Sequence, residues 1–237
     1  LEQLRELKNI TATLLLEPTG RNTAPALTLA ALQATQDGQD PILVVTPADQ
    51  TVQNPAAFQQ ALQQSIRAAA DGSIVILGVT PDKPETGYGY IQQSGAAGKH
   101  GEYTVVQFAE KPSLEIAKAY LAGGQHTWNS GMFVWKAKTL LEATRKYLPE
   151  IAEAFKDGAQ YYDTPAEENF IREAYYQCTN ISIDYGVMEK AENVYTVPAE
   201  FGWSDVGSWD SLYEVYEHDY LGNAVAGKSV KIYDSAH

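Results

Sequence analysis

A three-layer α/β fold with an added antiparallel lobe is what this sequence predicts, and three observations predict it. Short apolar runs alternate with helical patterns over the first third of the chain. The segments between those runs are long enough for right-handed crossovers, which implies a mixed, mostly parallel central sheet. After Pro81 the pattern changes, and glycine-rich turns flank short β-rich runs suited to antiparallel additions.

The elements follow in order. Ala12-Thr13-Leu14-Leu15-Leu16 reads as a buried strand, broken by Glu17-Pro18-Thr19-Gly20. Ala24 to Gln36 reads as a helix, with Thr23 as N-cap and Pro25 in the first turn. Pro41 to Val45 is a second buried strand ended by Pro47. Asn54 caps and Pro55 opens a helix to about Ala70. Ile74 to Val79 is a third strand. Tyr90-Ile91-Gln92 and Tyr103 to Phe108 are the antiparallel additions, followed by a helix from Ser113 to Ala122 and a strand from Met132 to Trp135. Helical patterns fill Ala137 to Tyr147 and Pro149 to about Ala174, and a last strand covers Asn193 to Val197. There is no internal repeat and no low-complexity linker.

Composition narrows the function classes. The 237 residues, 44% of them apolar, hold no run approaching the eighteen or so that a membrane span needs. The first residues show no basic stretch leading into an apolar one, so no signal peptide is expected. One cysteine, Cys178, excludes an internal disulfide and points to the cytoplasm. A net charge of -13 argues against a nucleic-acid partner. The same charge repels phosphorylated substrates, so a divalent cation and local Lys or Arg side chains would be needed to bind them. His100, His126, His218 and His237 show no zinc-ligand spacing.

The unusual residue clusters fall at the carboxyl ends of the strands, where open α/β sheets bind ligands. Glu17-Pro18-Thr19-Gly20-Arg21-Asn22-Thr23-Ala24-Pro25 is a strand end, a turn and a helix start, whose amides could face a phosphate or a base. Glu17 could accept from two adjacent nitrogen donors, an edge that guanine presents and adenine does not; the alternative is a capped helix with a surface Glu and Arg. Asp49, after an apolar strand, and Asp205, in a distant loop, suit magnesium, or else a helix cap and a turn. Glu110-Lys111-Pro112 could neutralise a phosphate and accept from sugar hydroxyls, or be a surface ion pair. Asn129, before a strand, suits hydroxyl recognition, and the glycines of Thr86-Gly87-Tyr88-Gly89-Tyr90 would let backbone approach a ligand closely. Gly222 to Ser229 matches the phosphate-binding P-loop letter for letter, yet lacks the strand before it and the helix after it.

Together these motifs resemble the mannose-1-phosphate guanylyltransferases (GDP-mannose pyrophosphorylases), in particular the bacterial type often fused to a mannose-6-phosphate isomerase domain. Seven segments occur in the family's order: LLLEPTGRNTAPAL, VVTPADQ, PETGYGYI, FAEKP, WNSGMFVW, SIDYGVMEK and WSDVGSW. The resemblance implies a Rossmann-like, GT-A-like nucleotidyltransferase fold and the conversion of mannose 1-phosphate and GTP to GDP-mannose and pyrophosphate with Mg²⁺. It places Glu17, Pro18, Arg21, Asn22 and Thr23 at the guanosine, and Asp49 and Asp205 on the metal. Gly89, Glu110, Asn129 and Asp184 fall at the sugar, and Lys111 near its phosphate. Asp49, Lys111 and Asp205 would be the catalytic set. A homodimer is compatible with the resemblance. The alternatives are a nucleotidyltransferase for another sugar or base, or a non-catalytic nucleotide-sugar-binding module.

Two departures qualify the match. The family's opening glycine-rich loop, with its Arg and Pro-Leu-Ser segment, has no counterpart in this sequence. Residues 1–221 are therefore expected to be an N-terminally incomplete catalytic domain, weakly active or inactive by itself. Residues 222–237 are expected to begin a C-terminal β-rich segment. Gln50 stands where the family usually has histidine, so no role is carried over to that position.

Overall fold

The computed structural model describes residues 11–219 and 222–225. Its elements are α1 (Thr23–Ala34), β1 (Ile42–Val45), β2 (Thr51–Val52), α2 (Pro55–Ala70), β3 (Ile74–Val79), β4 (Tyr90–Ala97), β5 (Tyr103–Ala109), α3 (Leu114–Gly123), β6 (His126–Lys136), α4 (Ala137–Tyr147), α5 (Pro149–Ala154), α6 (Glu167–Gln177), β7 (Val194–Ala199), β8 (Trp203–Ser204) and α7 (Trp209–Val215). A 3₁₀ turn spans Gly158–Gln160 and a π turn Asp184–Met188. The α/β class expected from the sequence is the class observed.

Six strands form one sheet in the order β1-β6-β3-β7-β5-β4, with a further pairing of β6 to β4, and β2 and β8 form a separate two-stranded ribbon. The sheet is less parallel than expected: β3–β6, β4–β5, β4–β6 and β5–β7 are all antiparallel. The reason is β6. Read in the sequence as the four residues Met132 to Trp135, it runs from His126, long enough to return beside both β3 and β4. Gly131, at φ 71°, sits in the irregularity where the strand's register with β3 shifts between Phe133 and Asn129.

The chain divides into two compact units. Among the described residues, those up to 43 with 72–74 and 135–194 make the first; 44–71, 75–134 and those from 195 onward make the second. In the first unit α1, α4, α5 and α6 surround a core of Leu29, Leu140, Ile151, Phe155 and Tyr175. The Thr28 and Thr144 hydroxyls meet there at 3.3 Å, each also donating to the carbonyl one turn earlier in its own helix. In the second unit Ile76, Leu77, Ile91, Trp128, Phe133 and Phe201 are buried. The helix there, α2, begins as its residues dictate: Asn54 accepts from Ala57 N–H and Pro55 occupies the first turn.

Three other expectations change. Ala12 to Leu16 is not a buried strand. No described strand pairs with it, so its backbone makes no ladder, and Leu14 and Leu16 are 45% and 77% exposed. Strand β1 is only partly buried because it lies at one end of the strand order. The helix expected from Pro149 to Ala174 breaks into α5, the 3₁₀ turn and α6. Asp163 is left-handed at φ 59°, and Pro165 disfavours a helical residue before it. Residues 226–229 of the P-loop match, and most of residues 222–237, lie outside the described residues.

Candidate active site

The second unit holds most of the predicted polar cluster. Gly89 ends the glycine-tyrosine turn and is buried; its carbonyl accepts from Asn129 N–H at 2.8 Å. A Cβ at position 89 would overlap Glu110 Oε2 and stand 3.3 Å from Asn129 Cβ. Glycine is thus required for these two side chains to converge. Asn129 Oδ1 accepts from Gly131 N–H, fixing the amide where the register of β6 shifts. Glu110 is largely covered, at 13% side-chain exposure, whereas Lys111 is 62% exposed, its Nζ 3.8 Å from Glu110 Oε1. A weak exposed pair of this kind leaves the ammonium available to an anion.

Two acidic residues are delivered to one end of the β2/β8 ribbon. Thr51 pairs with Ser204 and Val52 with Trp203. Asp205 directly follows Ser204, and Asp49 lies two residues before Thr51, so the antiparallel register carries both toward the same end. Asp205 Oδ1 accepts from the Tyr88 hydroxyl at 2.8 Å and from Gly207 N–H at 2.9 Å. The Tyr88 ring stands edge-on to Trp128 and Trp203, with centroids 5.2 and 5.0 Å away. Burial, and then the bond to Asp205, push the Tyr88 phenol well above its ordinary pKa, so it remains a donor. Gln50 closes the arrangement. Its Oε1 accepts from the Trp203 indole N–H at 2.9 Å, and its Nε2 donates to the Ser130 carbonyl at 2.8 Å.

The first unit holds the other motifs. Asn22, at φ 65°, caps α1 through its side chain, where Thr23 had been expected to cap; Thr23 instead opens the helix. The Thr23 hydroxyl is used elsewhere, accepting from Ile183 N–H at 2.9 Å, while Ala24 N–H donates to the Ile181 carbonyl at 3.2 Å. Asp184 therefore lies beside the start of α1, at the head of the π turn. Arg21 Nε donates to the Tyr175 carbonyl at 3.1 Å. The buried Tyr175 phenol is pushed up by burial, with the Glu17 charge adding to the shift. Glu17 and Pro18 line a surface hollow together with Leu16, Ile171 and Arg172. Cys178, buried behind this motif, is pushed up to about 11 by burial, which suits an inert thiol.

The structure thus brings Gly89, Glu110 and Asn129 together, directs Asp49 and Asp205 to one ribbon end, and ties Thr23 to the segment that leads into the Asp184 turn, while Arg21 reaches α6 instead. Sequence reasoning gave no role to Tyr88, Gln50, Trp128 and Trp203, although its motifs contain or adjoin all four. Strands of two residues carry no periodicity, so the ribbon that gathers these side chains had no signal. Backbone strain marks the same places. Of the four non-glycine residues at positive φ among the described residues, Asn22, Lys111 and Val206 fall within the site motifs, at 65°, 49° and 51°.

Fold and clustered motifs define an α/β protein with polar side chains gathered at the strand ends, and the chain belongs to the nucleotidyl transferase family, whose pattern matches residues 1–220. It is 43% identical over 229 residues to a mannose-1-phosphate guanylyltransferase of Escherichia coli, covering 95% of this chain and 49% of that protein. It is 44% identical over 232 residues to the xanthan biosynthesis protein XanB of Xanthomonas campestris pv. campestris, covering 98% of this chain and 49% of that one. A solved structure from Thermus thermophilus, titled mannose-1-phosphate geranyltransferase, superposes with a TM-score of 0.77 at 39% identity, over 87% of this chain and 58% of that one. The chain spans about half the length of the curated relatives it matches, 49% in both cases. Among the described residues no helix is long and apolar enough to cross a membrane.

Proposed function

We propose that the protein couples mannose 1-phosphate to GTP, giving GDP-mannose and pyrophosphate. The observation that carries this reading is the β2/β8 ribbon, which directs Asp49 and Asp205 to one end in a chain that also gathers Gly89, Glu110 and Asn129. The names of the relatives supply the sugar and the base. In the reaction an oxygen of mannose 1-phosphate attacks the α-phosphorus of GTP in line, and the bond to the β-phosphate oxygen breaks as pyrophosphate leaves. No protein nucleophile is required, so positioning and charge neutralisation carry the rate.

Two carboxylates with oxygen donors fit Mg²⁺, which binds through one or two such groups together with water and substrate phosphates. Asp205 fits this role because, among the described residues, both of its donors bond Oδ1. Bound there, Mg²⁺ would offset charge developing on the phosphate oxygens. The chain's own groups do the rest. Glu17 accepts from the guanine edge, while Pro18, Arg21, Asn22 and Thr23 shape the nucleoside pocket. Gly89 admits the sugar ring, Glu110 and Asn129 take its hydroxyls, and Lys111 neutralises its phosphate. A cytoplasmic setting, a homodimer, a catalytic domain over residues 1–221 and a β-rich segment from 222 belong to the same proposal.

The test is pyrophosphate release by the full-length parent protein with GTP and alternative sugar 1-phosphates. Mannose 1-phosphate should be preferred over glucose 1-phosphate, and Asp205→Asn should remove turnover while circular dichroism stays unchanged. Equal use of both sugars would sink the substrate assignment. Substantial magnesium-dependent activity in Asp205→Asn would refute the metal role.

A further inference from the structure

Asp205 is held by one side chain, Tyr88, and one backbone amide, Gly207, that the proposed chemistry does not itself use. Both of its donors take Oδ1, and among the described residues Oδ2 has no protein donor. A carboxylate on a loop rotates about two bonds, and an ion site built from only two carboxylates depends on stopping that rotation. The Tyr88 hydroxyl does so only if its own ring is fixed, and the ring is fixed edge-on to Trp128 and Trp203. Trp203 is in turn locked by Gln50, which also reaches the Ser130 carbonyl on β6. Gln50 is one residue from Asp49. A single neutral amide therefore ties the loop bearing one acid to the aromatic frame that orients the other.

The residue at 50 has a strict requirement. It faces a donor, the Trp203 N–H, and an acceptor, the Ser130 carbonyl, 2.9 and 2.8 Å away. A primary amide satisfies both at once. A carboxylate offers only acceptors and would set charge against the carbonyl, while an alanine leaves both groups unpaired.

We propose that Tyr88 is a positioning residue that turns Asp205 so that Oδ2 faces a divalent cation, and that Gln50 holds Tyr88 in place through Trp203. This rests on the metal role given to Asp205 above. It adds a second layer to that site: Tyr88 touches no reacting atom and acts only through the carboxylate.

The experiment is a Mn²⁺ titration of the protein by electron paramagnetic resonance, with Mn²⁺ alone as the probe, on wild type, Asp205→Asn, Tyr88→Phe and Gln50→Glu. Tyr88→Phe keeps the ring between the tryptophans and removes only the hydroxyl. It should weaken Mn²⁺ about tenfold, the lower end for loss of an outer hydrogen bond to a metal ligand. Gln50→Glu should weaken it as well, with a change in tryptophan emission that Tyr88→Phe does not show. In turnover, Tyr88→Phe should lower kcat and raise the Mg²⁺ requirement while leaving KM for mannose 1-phosphate unchanged. Loss of Mn²⁺ in Asp205→Asn together with wild-type affinity in Tyr88→Phe overturns the positioning role and leaves the metal reading standing. Wild-type Mn²⁺ affinity in Asp205→Asn overturns the metal reading, and the positioning role with it. If Tyr88→Phe loses its near-ultraviolet dichroism, Gln50→Glu decides: a folded variant with wild-type Mn²⁺ affinity refutes the frame.

Discussion

Asn22, Lys111 and Val206 adopt a left-handed backbone that costs about 1 kcal/mol or more for a residue with a Cβ. Asn tolerates this best, since its side chain bonds locally, and Asn22 uses that freedom to cap α1. Val206 has no such compensation; its position after Asp205 matters more than its own comfort. At this scale Glu17 is the residue on which base choice is proposed to depend. A carboxylate can take both donors of the guanine edge, whereas an amide offers one acceptor and one donor. Glu17→Gln should therefore lower the preference for GTP over ATP by about tenfold, the equivalent of roughly 1.4 kcal/mol. Competition between the two nucleotides in the pyrophosphate assay measures it, and an unchanged ratio refutes the assignment.

Elements were legible where their own residues specify them. Helix α2 begins and ends within a residue of its sequence signals, because Asn54 and Pro55 act locally. Strand β3 reads as apolar throughout and is buried at all six positions. Its one small residue, Gly78, marks a close approach across the sheet: a Cβ there would stand 2.6 Å from both the Thr127 and Thr196 hydroxyl oxygens. Neighbours press on it from two strands, so relief on one side does not help. Gly78→Ala should destabilise the protein by about 1–3 kcal/mol, the usual range for overpacking. A urea midpoint equal to wild type would show that the sheet yields more easily than this geometry indicates. Ala12 to Leu16 was misread because an apolar run reports what a segment can bury, not whether a neighbour is present to bury it.

For the molecule as a whole, the imidazole of His126, both of whose nitrogens are buried, links stability to pH. It stacks on Tyr120 with ring centroids 3.9 Å apart, and burial pushes its pKa below the ordinary value. The sign follows from which state takes the proton first. Below about pH 6.5 the unfolded chain protonates His126 while the folded chain resists, so stability is full above that value. It falls with pH until the folded pKa is passed. His126→Phe, which keeps the stack, should flatten part of this decline between about pH 7.5 and about pH 5.0 in urea unfolding. Parallel declines in the two proteins would exclude His126 as the source.

The sequence by itself determined the α/β class, the main helices and strands, and the motifs later found gathered at Gly89, Glu110 and Asn129 and at Thr23 beside the Asp184 turn. These rest on local periodicity, capping chemistry and residue type, which a linear reading contains. Only the tertiary structure decided that β6 returns antiparallel beside β3 and β4, that two-residue strands direct Asp49 and Asp205 to one end, and that Tyr88, Trp203 and Gln50 frame the second acid. Those pairings join residues 117 and 153 positions apart, and a hydrogen bond at such separation leaves no mark on the residues near either partner.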